Sequence, residues 1–193
     1  VTSLGAMCFD GCEALERVRL SDNITTILNS TFYWCTSLRE LNIPSKLEVV
    51  DCYAFCACAA LPDITLPDGL KSIDEYAFMS CYEFTEIDIP EGVTLMGQNC
   101  FGDCPKLKRA SLPESLQELG VNAFFGCSLL REVNSPESIT ELSSGLFQGC
   151  ESLESVVLPS RLKIVGDFAF EGCTSLTEIE LPATVTHVNQ SAF

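Results

Sequence analysis

Histidine is nearly absent: His187 is the single one among 193 residues. The commonest general base and metal ligand is thereby missing from all but one place. Basic residues are scarce too, 11 Lys and Arg against 27 Asp and Glu, for a net charge of −16. Nucleic-acid binding needs clustered Lys and Arg, so this balance argues against it and against anionic membrane surfaces. It suits solubility and a basic partner. Apolar runs reach only a few residues, too short to cross a bilayer. The chain carries no Gly-rich phosphate loop and no H-E-x-x-H, and spacing singles out no carboxylate pair. His187 falls in a variable slot held elsewhere by Thr26, Val49, Ser72, Leu95, Glu118, Glu141 and Ile164, which marks a surface position. The expectation is a non-enzyme with no cofactor and no metal.

What is present is a ladder. Phenylalanine stands at positions 9, 32, 55, 78, 101, 124, 147, 170 and 193, every 23 residues, and cysteine follows the first eight of them three residues later. A fixed period of this length marks a solenoid. The repeat reads L-x-x-I-x-L-P-x-x-L-x-x-I-x-x-x-A-F-x-x-C-x-x. Its apolar-x-apolar step, as in Leu41 and Ile43, predicts a short strand with one face buried. Proline follows that strand in seven of the eight repeats, with Ser21 the exception. Lacking an N–H, proline ends the strand at the same place each time. The A-F-x-x-C-x-x-L spacing predicts a turn of helix or 3₁₀. Stacked in register at roughly 4.8 Å, the coils predict a rod on the order of 40 Å long. Residues 1–193 thus read as one solenoid of about eight repeats, with short parallel strands and little regular helix. The chain begins at Val1 and stops at Phe193 inside the repeat, without a visible polar cap, so the expectation is a segment of a longer protein.

The L-x-x-I-x-L-P and A-F-x-x-C elements, in phase over essentially the whole chain, resemble the BspA-like leucine-rich repeats, also called the Treponema pallidum type. The resemblance implies a leucine-rich repeat protein that binds other proteins. Members of this family are typically large, often surface-exposed or secreted proteins of bacteria and some protists. It therefore favours a cell-surface or secreted location and a role in adhesion or recognition. The alternative from another class is a structural or scaffolding subunit wedged into a large assembly.

Twelve cysteines would ordinarily suggest a disulfide framework. A column with one thiol per coil has parallel Cα–Cβ vectors, a poor disulfide geometry. The eight column cysteines therefore read as buried apolar residues. Cys8 and Cys100 occupy an alanine slot and read as core fillers too. Cys52 and Cys56 replace polar or mixed residues and read as the exposed thiols. With Cys58 they make C-x3-C-x-C, a weak metal signal without histidine nearby.

Two surfaces compete for a protein partner. The strand face presents variable positions on a repeated frame, among them Arg19, Asn42, Asp88, Asn134 and Glu180. Any unconstrained surface varies as well. The other surface is compositional. All four tyrosines and the only tryptophan fall between residues 33 and 82: Tyr33, Trp34, Tyr53, Tyr76 and Tyr82. None takes a core slot. Cys56 and Met79 share the Tyr33 slot, and residues 52–62 carry no charge. Tyr33, Trp34, Tyr53, Cys56, Tyr76 and Met79 thus predict an apolar patch on the turn side of repeats two to four. Either it meets a protein, or its rings lie flat over the coil edge. Finally, Ala110 and Ser135 replace large apolar residues in adjacent repeats and predict a loosened stretch there.

Overall fold

The computed structural model describes all residues, 1–193. It is a parallel-strand solenoid in which corresponding residues of successive coils lie beside one another at the 23-residue period. The expected strand forms in five of the eight repeats, just after the first apolar column. Arg17–Val18 pairs with Glu40–Leu41, and Glu86–Asp88, Arg109–Ser111 and Glu132–Val133 form a second group. The ladder breaks between the groups, at the coil holding Asp63. There the Asp63 carboxylate accepts hydrogen bonds from the Thr85 and Glu86 N–H groups, at 2.6 and 3.2 Å.

A second parallel ladder, without an alternating signature, runs along the later apolar pair of each repeat. Thr26–Ile27, Val49–Val50, Ser72–Ile73, Leu95–Met96 and Glu118–Leu119 form five neighbouring strands. Glu141–Leu142, Ile164–Val165 and His187–Val188 form three more. Between the ladders, the proline that ends the first strand opens a turn. Its carbonyl accepts the N–H three residues on, as Pro44 does from Leu47 and Pro159 from Leu162. Ser21 does the same for Ile24 in the first coil.

Around each marker phenylalanine the chain makes turns where a helix or 3₁₀ turn was expected. Alternate residues point their N–H groups in two directions. Tyr53, Phe55 and Ala57 donate to Glu75, Ala77 and Met79 of the next coil, whereas Ala54, Cys56 and Cys58 donate back three residues. That alternation requires left-handed backbone two residues before and two after the phenylalanine, which no helix can accommodate. Of 101 backbone hydrogen bonds only 10 lie within strands, so the turns and loops do most of the stitching between coils.

The core is a set of columns. The marker rings stack face to face at 5.2–5.3 Å from Phe9 to Phe101. Phe84, in a slot that is leucine in every other repeat, adds a ring 5.7 Å from Phe78 and 6.4 Å from Phe101. Beyond Phe101 the spacing opens to 6.0 Å for two steps. Ala110 and Ser135 are among the residues lining an open concavity of about 510 Å³ on the strand face of these coils.

Each column thiol from Cys35 to Cys173 donates to the carbonyl of the phenylalanine 26 residues earlier, at 3.1–3.4 Å. Cysteine therefore supplies both a small apolar body and a link between coils. Two expectations fail at the first coil. Cys8 and Cys12 are exposed, because that coil is covered on one side only. Cys100 is buried as expected.

Candidate functional site

On the turn side, two positions per coil are left-handed. The one before the marker holds Tyr53 (φ 56°) and Tyr76 (φ 59°), and the one after it holds Trp34 (φ 58°). Glycine fills the Trp34 position in four other coils, as Gly11, Gly126, Gly149 and Gly172. An L-residue with a bulky side chain costs about 1–2 kcal/mol there. Trp34 is nonetheless the largest side chain on this face and 48% exposed.

The structure brings four of the six patch residues together. Tyr53 and Tyr76 stack at 4.7 Å with planes 4° apart. Tyr33 meets the edge of Tyr53 at 6.1 Å and Trp34 at 6.3 Å. The Gln98 side-chain amide donates to the Tyr76 hydroxyl at 2.9 Å and ends the row. Tyr33, Tyr53, Tyr76 and Met79 are half-buried, and only Trp34 is open. Tyr82 is 47% exposed, one residue past the column cysteine, outside this row.

Cys56 corrects an expectation: it is buried, not an exposed thiol. It lies between the larger Tyr33 and Met79 of its own column, and burial pushes its thiol up to about 11. Cys52 is half-buried, and its thiol is raised mainly by desolvation. Its sulfur and the Asp51 and Asp74 carboxylates approach within 4.8 Å of one another. Asp51 is already spent on the backbone, accepting the N–H groups of Asn29 and Cys52 at 3.0 and 2.7 Å.

The strand-face residues divide. Asn42 and Asn134 are exposed, but their side chains are taken up by the backbone of the preceding coil. Asn42 accepts the Leu20 N–H at 2.7 Å and donates to the Leu20 carbonyl at 2.9 Å; Asn134 does both with Leu112 at 2.7 Å. Each carboxamide extends the ladder by one backbone-like pair where proline follows. Asn134→Ala should therefore lower stability by about 1–2 kcal/mol, read as a reduced urea midpoint. Ser111→Ala, whose hydroxyl holds no comparable clamp, is the control.

Asp88 is held by Arg109 through two bonds, at 2.6 and 3.2 Å, and Arg109 also reaches Glu86 at 3.1 Å. Arg109 keeps the Asp88 carboxyl below its usual range. Arg19 and Glu180 are exposed. Arg19 lines an open groove of about 1050 Å³ with Arg17, Arg39, Glu40 and Asp63. Sequence reasoning passed over Val157, which is 84% exposed in this face. Its signal was available, as the lone apolar residue in a polar column. It also passed over Phe125, half-buried in the Tyr33 column, and Leu129, which is exposed nearby.

No helix is long and apolar enough to cross a membrane. The sequence pattern of the BspA type leucine rich repeat region matches six times, over residues 2–129 and 94–193. A leucine-rich repeat protein of T. pallidum is 32% identical over 84% of this chain and 78% of its own, with a TM-score of 0.77. One from Bacteroides ovatus is 27% identical over the whole of this chain and 67% of its own, with a TM-score of 0.63. The pneumococcal vaccine antigen PcpA shares the fold at 20% identity and a TM-score of 0.53, over 99% of this chain and 40% of its own. No curated protein matches the chain. With the repeat pattern covering nearly every residue and a solved relative of the same build, the chain belongs to the BspA-type leucine-rich repeat family.

Proposed function

We propose that this solenoid binds a protein partner through the turn-side row Trp34–Tyr33–Tyr53–Tyr76, in cell-surface adhesion or recognition. The observation that carries the reading is Trp34. A large aromatic ring is kept half in water, on backbone that prefers glycine and that holds glycine in four other coils. Strain retained at an exposed position is a mark of function, and Tyr and Trp are the residues that anchor interface cores. The parallel-strand repeat supplies a rigid support, and the family is typically non-enzymatic.

The strand face is the second reading, supported by the groove at Arg19 and by exposed Val157. A structural subunit would use the same aromatic row against a permanent neighbour. The test uses purified protein as bait against extracts and cell surfaces. Trp34→Gly with Tyr53→Ser should abolish capture while leaving the circular dichroism spectrum intact, since glycine suits the backbone at position 34. Arg19→Ala with Glu180→Ala should leave capture unchanged. The reverse pattern moves the site to the strand face.

A further inference from the structure

Charge is distributed unevenly around the rod. The eight turn segments centred on the first eight marker phenylalanines (residues 5–14, 28–37, 51–60, 74–83, 97–106, 120–129, 143–152 and 166–175) carry ten Asp and Glu and one basic residue, Lys106. Ten of the chain's 11 Lys and Arg lie elsewhere. Lys106 is itself held by Glu83, at 2.7 and 2.8 Å. The other five ion pairs, at Arg17, Arg39, Lys71 and Arg109, join residues outside these turn segments. The aromatic row therefore runs through a field of one sign.

Its nearest members are placed by the repeat. Asp51 and Asp74 stand two residues before Tyr53 and Tyr76, and Glu75 stands exposed beside Tyr76. The Asp51 and Asp74 carboxylates approach within 4.8 Å. Like charges this close in adjacent coils repel, and that repulsion is relieved by an ammonium or guanidinium group. Such a group also gains from the exposed indole of Trp34.

Resting on the docking surface proposed above, we infer that its occupant is a cationic protein segment, with Lys or Arg beside apolar side chains. The apolar groups cover Trp34 and Tyr33, and the cations meet Asp74 and Glu75, since both Asp51 oxygens already accept backbone N–H groups. An acidic or neutral apolar partner would leave the Asp74 and Glu75 carboxylates desolvated without a cation at the rim.

Trp34 is the only tryptophan, so its emission reports on the site directly. The whole chain is titrated with three probes: a peptide alternating Arg with Leu, its Glu-for-Arg counterpart, and spermine. The Arg peptide should bind and shift Trp34 emission to the blue. Its affinity should fall about tenfold as salt rises from dilute to about 0.5 M, because exposed charges are screened. By calorimetry, Trp34→Gly and the Asp74→Asn, Glu75→Gln pair should each weaken it about tenfold, whereas Asp167→Asn, far along the rod, should not.

Equal binding of the Glu peptide, with the same shift, overturns the cationic assignment and leaves the docking surface standing. Binding that ignores Trp34→Gly but follows the acidic pair overturns the docking surface itself. Spermine binding as tightly as the Arg peptide reassigns the site to small polyamines, and failure of every probe to bind overturns the inference.

Discussion

Between about pH 9 and 11 this solenoid should unfold in one steep alkaline transition. Six fully enclosed thiols lie in the inner coils: Cys58, Cys81, Cys104, Cys127 and Cys150 in the column, and Cys100 in the alanine slot beside Phe101. Burial raises each of them, Cys127 to about 12, and the others upward by the same cause. An unfolded thiol titrates near ~8.5–9. Because the folded values lie above the unfolded one, the contribution to stability is complete below about pH 8.5 and drains away as pH rises. Each retained proton corresponds to roughly 1.4 kcal/mol per pH unit. Six acting together remove on the order of 8 kcal/mol per unit, comparable with the whole stability of a typical domain, ~5–15 kcal/mol. Circular dichroism against pH, under reducing conditions, should show this collapse. Cys81→Ala with Cys104→Ala should shallow the slope by about a third. A native spectrum at pH 11, or a slope indifferent to that pair, sinks the argument.

That prediction rests on a feature visible in the sequence only in part. The column was legible because the cysteine period matches the phenylalanine period, and parallel vectors disfavour disulfides. The reason for cysteine was not legible. Each thiol donates to a phenylalanine carbonyl one coil back, a bond set by the backbone path through the turn. Alanine would fill the space and leave that carbonyl one donor short.

The first strand ladder was legible from alternation in residues such as Leu41 and Ile43. The second was not, since Val49–Val50 and its equivalents are two residues long and their pairing is wholly between coils. The helical reading of A-F-x-x-C failed for a related reason. Spacing of three marks a turn of helix only if the N–H groups point along the chain, and here every second one points to the next coil.

The aromatic row was legible because Tyr33, Trp34, Tyr53 and Tyr76 break the repeat. What sequence could not supply was their backbone. Left-handed φ at Trp34 turns an unusual residue into a strained one. Cys56 shows the opposite limit. It broke the repeat as clearly as Tyr53 did, yet its neighbours in the column bury it. Asn42 and Asn134 likewise vary within their column because they serve the ladder in their own coils.

Replacing Phe78 by alanine should cost about 3–5 kcal/mol, the usual range for a phenylalanine deleted from a packed core. Phe78 is fully enclosed and touches three rings: Phe55 at 5.2 Å, Phe101 at 5.3 Å and Phe84 at 5.7 Å. Rigid columns on both sides leave little room for collapse around the hole. Phe124→Ala is the informative comparison. Phe124 is as enclosed as Phe78, but it has only two ring neighbours, each at 6.0 Å. Each well-placed aromatic pair adds about 0.5–1.5 kcal/mol beyond its burial, so Phe124→Ala should cost less by roughly 1 kcal/mol. Coils in a solenoid are coupled chiefly to their neighbours. The Phe78 variant should therefore unfold in two steps in urea, the weakened central coils separating the ends, whereas the Phe124 variant should keep a single, earlier transition. Equal losses at the two sites would show that the wider spacing beyond Phe101 carries no energetic weight.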